Sequence, residues 1–276
     1  MSSSESHAEN LFSVAGLGAV VTGAASGLGF AIARVLARNG ARVVLVDTQS
    51  DAVESATESL ANEGLSVRSV VTDIRDTEAM DALMSAAASW DSGLDVVFAN
   101  AGISSGLGRA FGSGVLSEIS DQRWDDVVAV NLAGTKNTVR AAAAHMNEGR
   151  GRIIVVSSVA GLAPDPLVGY AYSSSKAAVT LFAQNAAAEL APRGINVNVL
   201  APGSFRTAIG ARNPDNEHML SALTAATATD HLADPAELEG LALLLASPAA
   251  RHIVGSVLVI DGGVAVYRTD ADVFRR

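Results

Sequence analysis

Tyr172-Ser-Ser-Ser-Lys176 sets a phenol and an ammonium four residues apart, one turn along the same face of a helix. A phenol with an ordinary pKa of about 10 is a poor base at neutral pH. A neighbouring cation stabilises the phenolate and lowers that value. Such a spacing often arises by chance on exposed helices, but only two of the 19 basic residues in this chain are lysines, Lys136 and Lys176. Lysine is not its default surface charge, and the pair follows a strand end at Ser157-Ser158. The chemistry expected of it is proton transfer.

A second constellation lies near the start of the chain. Residues 19–21 read as a buried strand and 22–29 as a glycine-rich turn; from Phe30 the pattern is helical, with Ile32, Val35 and Leu36 at core spacing. Free N–H groups and the positive end of a helix dipole hold a pyrophosphate there, and glycine lets it approach. The spacing is Gly23-x-x-x-Gly27-x-Gly29, with Ser26 and Leu28 inside the turn, and differs from the commoner G-x-G-x-x-G fingerprint. Asp47 ends the second strand, where a carboxylate accepts hydrogen bonds from an adenosine ribose and repels a 2′-phosphate. No Arg or Lys lies in the turn or directly after Asp47, so the expected cofactor is NAD rather than NADP. Further along, Asp73-Ile74 closes the third strand and is placed to meet the adenine. Asn100-Ala101-Gly102 closes the fourth, with Asn100 either a cofactor contact or a turn former. Pro202-Gly203-x-x-x-Thr207 closes the sixth, with Thr207 set to bond the nicotinamide amide.

These residues need a frame. Apolar runs at 19–21, 42–46, 66–71, 94–99, 152–156, 196–200 and 256–260 alternate with amphipathic segments near 52–62, 78–90, 124–146, 174–191 and 235–246. Strands apolar throughout imply a parallel sheet covered on both faces, and right-handed crossovers make it doubly wound. The expectation is one α/β domain of about seven parallel strands over 14–263, flanked by a loose tail at 1–13 and another at 264–276. The connections 103–120 and 203–234 are long and leave the carboxyl edge of the sheet, where open α/β folds bind ligands. They are read as lids over a cleft.

A net charge of −10 argues against nucleic acid or an anionic membrane surface as partner. The chain has no cysteine and five scattered histidines, so no metal site is expected. Its opening residues lack the basic and apolar regions of a signal peptide, no apolar run approaches membrane-spanning length, and the expected location is cytoplasmic. The stretches 124–146 and 174–191 are alanine-rich with few charges on any face, which predicts burial of a second face against another subunit.

Taken together, Thr22-Gly-x-x-x-Gly-x-Gly29, Asn100-Ala-Gly102, Asn131, Ser158, Tyr172-x-x-x-Lys176, Pro202-Gly203 and Asp261-Gly-Gly263 stand in an order that resembles the short-chain dehydrogenase/reductase family over residues 17–263. The resemblance implies a Rossmann-type domain, a homotetramer (or homodimer) built partly through the two alanine-rich helices, and interconversion of a secondary alcohol and a ketone. It implies Tyr172 as general acid/base and Lys176 as the cation that lowers the Tyr172 pKa and bonds the nicotinamide ribose. Ser158 would bond the substrate oxygen, and Asn131 would hold a proton-relaying water. Two departures stand out. The interval from Ser158 to Tyr172 is one residue longer than the family's usual spacing, and Ala99 replaces an asparagine. Ser157 is the weaker serine candidate, and Tyr170 is excluded because Ser174 stands where its lysine would be.

The lids offer Leu107, Phe111, Val115, Leu116, Phe205, Ile209, Met219 and Leu223 beside Arg109, Arg206 and Arg212. The apolar set suits a cyclic or aromatic alcohol, an arginine suits an acidic substrate, and the choice is open. The alternatives are a cyclic dihydrodiol or hydroxysteroid dehydrogenase and, in another class, a non-catalytic NAD-binding regulatory protein.

Overall fold

Alternation along the strands explains the architecture. In β1 (Gly18–Thr22), Ala19 and Val21 join one apolar cluster with Ile32, Leu36, Leu45 and Phe98, while Val20 joins another with Val44, Met80, Val97 and Val155. Successive side chains leave a strand on opposite faces, and here both faces are dry, so the strand is an unbroken apolar run. A computed structural model describes residues 7–91, 93–111, 114–207 and 217–267. The strands are β1, β2 (Arg42–Asp47), β3 (Val67–Val71), β4 (Val96–Ala99), β5 (Gly151–Val156), β6 (Ile195–Pro202) and β7 (Val257–Ile260). All pairs are parallel, in the order β3-β2-β1-β4-β5-β6-β7. This is the doubly wound, single-domain Rossmann-type sheet that the alternating pattern predicts. The order reverses between β1 and β4, which opens the crevice used by ligands of such sheets.

The helices in chain order are α1 (His7–Phe12), α2 (Gly27–Arg38), α3 (Ser50–Ala61), α4 (Thr77–Ala88), α5 (Asp121–Val128), α6 (Thr135–His145), α7 (Tyr170–Leu190), α8 (Glu217–Ala225), α9 (Glu239–Ala246) and α10 (Val264–Tyr267). Helix α1 lies within the expected N-terminal tail and packs beside Pro248–Ala250. Three further sequence expectations are corrected. The edge strands β3 and β7 are not buried throughout: Val71 is 47% and Val259 44% exposed, because an edge strand lacks a neighbour to cover it. The segment 124–146 is not one α-helix. A π-helical turn, Ala129–Gly134, separates α5 from α6, and an inserted residue of this kind leaves the surrounding apolar period legible. The connection 203–234 contains α8 and the bridge Phe205↔Ala233, so part of it is regular structure.

At the amino edge, opposite the crevice, Asp95 is fully buried. It accepts from the Gly18 N–H at 3.0 Å and the Asn147 side-chain amide at 2.7 Å, and it pairs with Arg150 at 2.7 Å. These bonds lock the start of β1 to the start of β4. Asp95→Ala strands buried donors, and is expected to lower the unfolding free energy by about 3 kcal/mol. An unchanged urea midpoint would contradict this.

Candidate active site

The floor of the site is the turn between β1 and α2. Gly23 has φ +66°, where an L-side chain is strained, and a Cβ there would lie 2.8 Å from Ala101 Cα. A Cβ on Gly29 would lie 2.0 Å from the Gly23 carbonyl oxygen. Both positions accept only glycine. Ser26 is the exposed N-cap of α2, its side chain makes no capping bond, and the first turn carries no acidic residue. The leading N–H groups, among them those of Gly27 and Leu28, therefore remain available beside this floor, a cradle suited to an anionic group. Leu28 packs partly on the core.

Around the cradle, Asp47 accepts from the backbone N–H groups of Ala25 and Gln49, both at 3.2 Å, which holds its carboxylate at the edge of the turn. Strand β3 ends at Val71, so Asp73 and Ile74 lie just beyond it. Arg75 donates to Asp73 at 2.6 Å and holds that carboxyl below its ordinary pKa. Ile74 turns into the core, where a Cβ on Gly134 would lie 2.5 Å from its side chain. The Asn100 amide donates to the carbonyls of Thr22 and Gly23 at 2.9 and 3.2 Å. That ties the turn to β4 and leaves the backbone of Ala101 and Gly102 next along the crevice. On the far wall, Pro202 accepts from Ser158, the Gly203 N–H donates to Ile260, and the Thr207 methyl lies 3.3 Å from where a Gly27 Cβ would stand.

The π turn places Asn131, fully buried, toward the crevice. Its carbonyl accepts from the Ile103 N–H at 2.8 Å, and its amide donates to the Ile103 carbonyl at 3.0 Å and to Ser175 Oγ at 3.1 Å. Lys176, from the first half of α7, is 4% exposed and donates to the Val156 carbonyl at 2.8 Å. A Cβ on Gly102 would sit 3.2 Å from Asn131 Oδ1 and 3.4 Å from Lys176 Nζ, so the end of β4 meets both. The two adjacent serines diverge. Ser157 bonds the Lys176 carbonyl and Thr180, each at 2.8 Å, which turns it into α7. Ser158 accepts from the Ala160 N–H at 3.2 Å and acts on the Tyr172 hydroxyl, whose pKa it lowers.

The electrostatics differ from expectation. Tyr172 titrates above an ordinary phenol, chiefly because it is buried; the Ser158 hydrogen bond pulls the value down and the Asp165 charge pushes it up. Burial lowers Lys176 to about 8. The ammonium stands 5.7 Å from the Tyr172 ring and is directed at the Val156 carbonyl, so in this geometry burial rather than Lys176 sets the phenol.

The rim is built from 103–111 laid against 166–168, with Leu107↔Val168 antiparallel, Gly108 N–H to Leu167 at 3.0 Å and Ala110 N–H to Pro166 at 2.9 Å. Leu107 and Leu116 are exposed, as is Arg109, and Phe111 and Val115 are half-buried. Phe205 is buried in the core, a correction to its place among substrate-facing residues. Leu223 is half-buried and Arg206 exposed. Ile209 and Arg212 lie outside the described residues, as does the side chain of Met219. Two site residues escaped the sequence reading. Asp165 lies in the loop lengthened by one residue and acts on Tyr172, and Ser105 accepts from the Tyr172 N–H at 3.3 Å. Loop directions carry no periodic signal, though the extra residue marked the loop. Among the described residues, no three His, Asp or Glu side chains group as metal ligands and no helix is long and apolar enough to cross a membrane.

Because a carboxylate disfavours a neighbouring phenolate, Asp165→Asn is expected to move Tyr172 ionisation to lower pH. The phenolate absorbance, isolated by subtracting a Tyr172→Phe variant, measures this, and an unmoved midpoint would show that the charge does not reach the phenol.

A family model described as enoyl-(acyl carrier protein) reductase matches residues 23–265. The chain is 33% identical over 246 residues to dehydrogenase/reductase SDR family member 4 of Mus musculus, covering 89% of this chain and 86% of that protein. It is 34% identical over 261 residues to galactitol 2-dehydrogenase (L-tagatose-forming) of Cereibacter sphaeroides, covering 93% and 98%. The crystal structure of a gluconate 5-dehydrogenase from Burkholderia cenocepacia J2315, in complex with NADP and tartrate, superposes with a TM-score of 0.83 at 28% identity, covering 94% and 98%. With this likeness over nearly its whole length, and with the glycine cradle and the Tyr172–Ser158 pair at one crevice, the chain belongs to the short-chain dehydrogenase/reductase family of oxidoreductases, which bind a nicotinamide cofactor.

Proposed function

We propose that this oxidoreductase interconverts a secondary alcohol and a ketone with NAD, using Tyr172 as general acid/base. The observation that carries the reading is that Tyr172 and Ser158, which lowers the phenol's pKa, stand together beside buried Lys176 and Asn131 at the open end of the glycine cradle. A bound nicotinamide would supply the hydride-transfer chemistry for the carbinol carbon in either direction. The chain's own residues handle the proton and the geometry. Ser158 donates to the substrate oxygen and stabilises charge developing there. In reduction the Tyr172 phenol gives its proton to that oxygen; in oxidation the phenolate takes the hydroxyl proton. Lys176 would carry the charge that bonds the nicotinamide ribose, and Asn131 would hold the water that relays protons from Lys176.

Gly23, Ser26, Gly27, Leu28 and Gly29 would cradle the pyrophosphate, Asp47 would take the adenosine ribose, and Asp73 with the backbone of Ile74 would flank the adenine. Asn100, Ala101 and Gly102 would line the middle of the cofactor, and Thr207, after Pro202-Gly203, would bond the nicotinamide amide. The Asp47 carboxylate, with no cation within the turn, supports NAD over NADP, although a related gluconate 5-dehydrogenase binds NADP. The likeness to a galactitol 2-dehydrogenase favours a polyol among secondary alcohols. Asp165 is suited to accept from hydroxyls and repels a substrate carboxylate. The same reading takes the assembly as a homotetramer (or homodimer), for which 62% exposure of Leu181 on α7 is support, and the location as cytoplasmic.

NADH formation is measured across aliphatic, aryl, cyclic-diol, steroid, polyol and hydroxy-acid alcohols. Oxidation of one class is expected to accelerate as pH rises through the phenol midpoint, since phenolate is the base, and Tyr172→Phe is expected to lose about 10²–10⁴-fold. Near-normal turnover in that variant would overturn the tyrosine assignment, and cofactor binding without turnover on any class would favour a regulatory NAD-binding role. Asp47→Ala is expected to narrow the preference for NAD, measured by titrating both cofactors. Equal affinity of the unaltered protein for the two would refute the carboxylate's role.

A further inference from the structure

Helix α7 begins without a cap of its own. Its N-cap residue is Gly169, which has no side chain to offer. In an ordinary cap the N-cap oxygen accepts from the N–H of the second or third helical residue. The third residue of α7 is Tyr172, and its N–H donates to Ser105 Oγ at 3.3 Å. A Cβ on Gly169 would lie 2.4 Å from that same oxygen. The Ser105 hydroxyl thus occupies the place of the missing capping side chain, from a segment 64 residues away in sequence.

We infer that Ser105 is a positioning residue for Tyr172: it caps the catalytic helix in trans and couples the substrate rim to the orientation of the phenol. The inference rests on the catalytic reading of Tyr172 proposed above. The segment carrying Ser105 is held on both sides. Upstream, Asn131 grips both backbone groups of Ile103, and Arg123 of α5 donates to the Ser104 carbonyl. Downstream, the Gly169 N–H donates to Gly106 at 3.3 Å and Gly108 pairs with Leu167 at 3.0 Å. A shift of the rim therefore pulls on the first turn of α7, and Tyr172 follows. Its hydroxyl then leaves Ser158, the one contact that lowers its pKa.

The test is a cycle on Ser105 and Gly169, with readouts that do not depend on turnover. Ser105→Ala is expected to speed amide hydrogen exchange at Tyr172, to raise the phenol midpoint, and to lower kcat about 5- to 30-fold with cofactor affinity unchanged. Ser105→Thr, which keeps the hydroxyl, restores all three. Gly169→Ser alone crowds Ser105 and lowers kcat, whereas in the Ser105→Ala background it supplies a local cap and raises kcat. That reversal of sign is the signature of one shared capping position. Unchanged Tyr172 amide exchange and phenol midpoint in Ser105→Ala would overturn the inference, as would the same direction of effect for Gly169→Ser in both backgrounds. If no alcohol is oxidised and Tyr172→Phe behaves as the unaltered protein, the catalytic reading fails, while exchange and titration still decide the cap.

Discussion

The Thr22 hydroxyl, fully buried at the end of β1, donates to the Phe98 carbonyl at 3.3 Å and accepts from the N–H groups of Asn100 and Ala101 at 3.1 Å each. With the Asn100 amide returning to the Thr22 and Gly23 carbonyls, this joint ties the glycine turn to the exit of β4. Each bond contributes only about 1 kcal/mol net, but the Thr22 hydroxyl at its centre is fully buried, so losing that partner costs the groups it bonds part of their desolvation. The joint sets how far the cradle stands from Gly102, on which a Cβ would meet both Asn131 and Lys176. Cofactor cradle and proton-handling groups are thereby spaced through one polar knot at the topological switch point of the sheet.

A site placed there carries electrostatic strain. Lys176 is buried against a single carbonyl and titrates at about 8 rather than 10.5. A lysine whose folded value is depressed destabilises the fold where it is charged. The cost is fully present below about 8, is about 3 kcal/mol at most, and fades as pH rises toward the ordinary lysine value. The large dry clusters on both faces of the sheet offset it. Tyr172 is pushed the other way by the same burial and by Asp165, and is moderated by Ser158. A phenol that is protonated at neutral pH and an ammonium close to losing its proton are both primed to exchange protons through the crevice.

The rim and the catalytic helix are one mechanical unit. The π turn that aims Asn131 into the crevice also lets it hold Ile103, and the backbone after Ile103 carries Ser105 to Tyr172 and Gly108 to Leu167. An inserted residue in a helix costs regular hydrogen bonding, and it persists here because the freed geometry is used for a side chain that bonds three groups.

The number and parallel character of the strands, the glycine turn, Asp47, and the Tyr172–Lys176 pair were legible from residue types alone, since each follows from local rules. A doubly covered strand must be apolar at every position, a turn that leaves no room for a Cβ must be glycine, and two groups four residues apart on a helix share a face. What lay beyond reach depended on direction in three dimensions. The apolar period of 124–146 runs through the π turn without a break, so the inward rotation of Asn131 leaves no mark in it. Ser157 and Ser158 are identical neighbours, and only the path of α7 decides that one bonds a helix carbonyl and the other the phenol. The exposed edges of β3 and β7 follow from strand order, and the placement of Ser105 and Asp165 beside Tyr172 follows from how two irregular loops pack. Sequence by itself determined which chemistry the chain can hold and on which kind of sheet; tertiary structure decided which groups meet, because loop direction and long-range burial are set by packing and not by any local period.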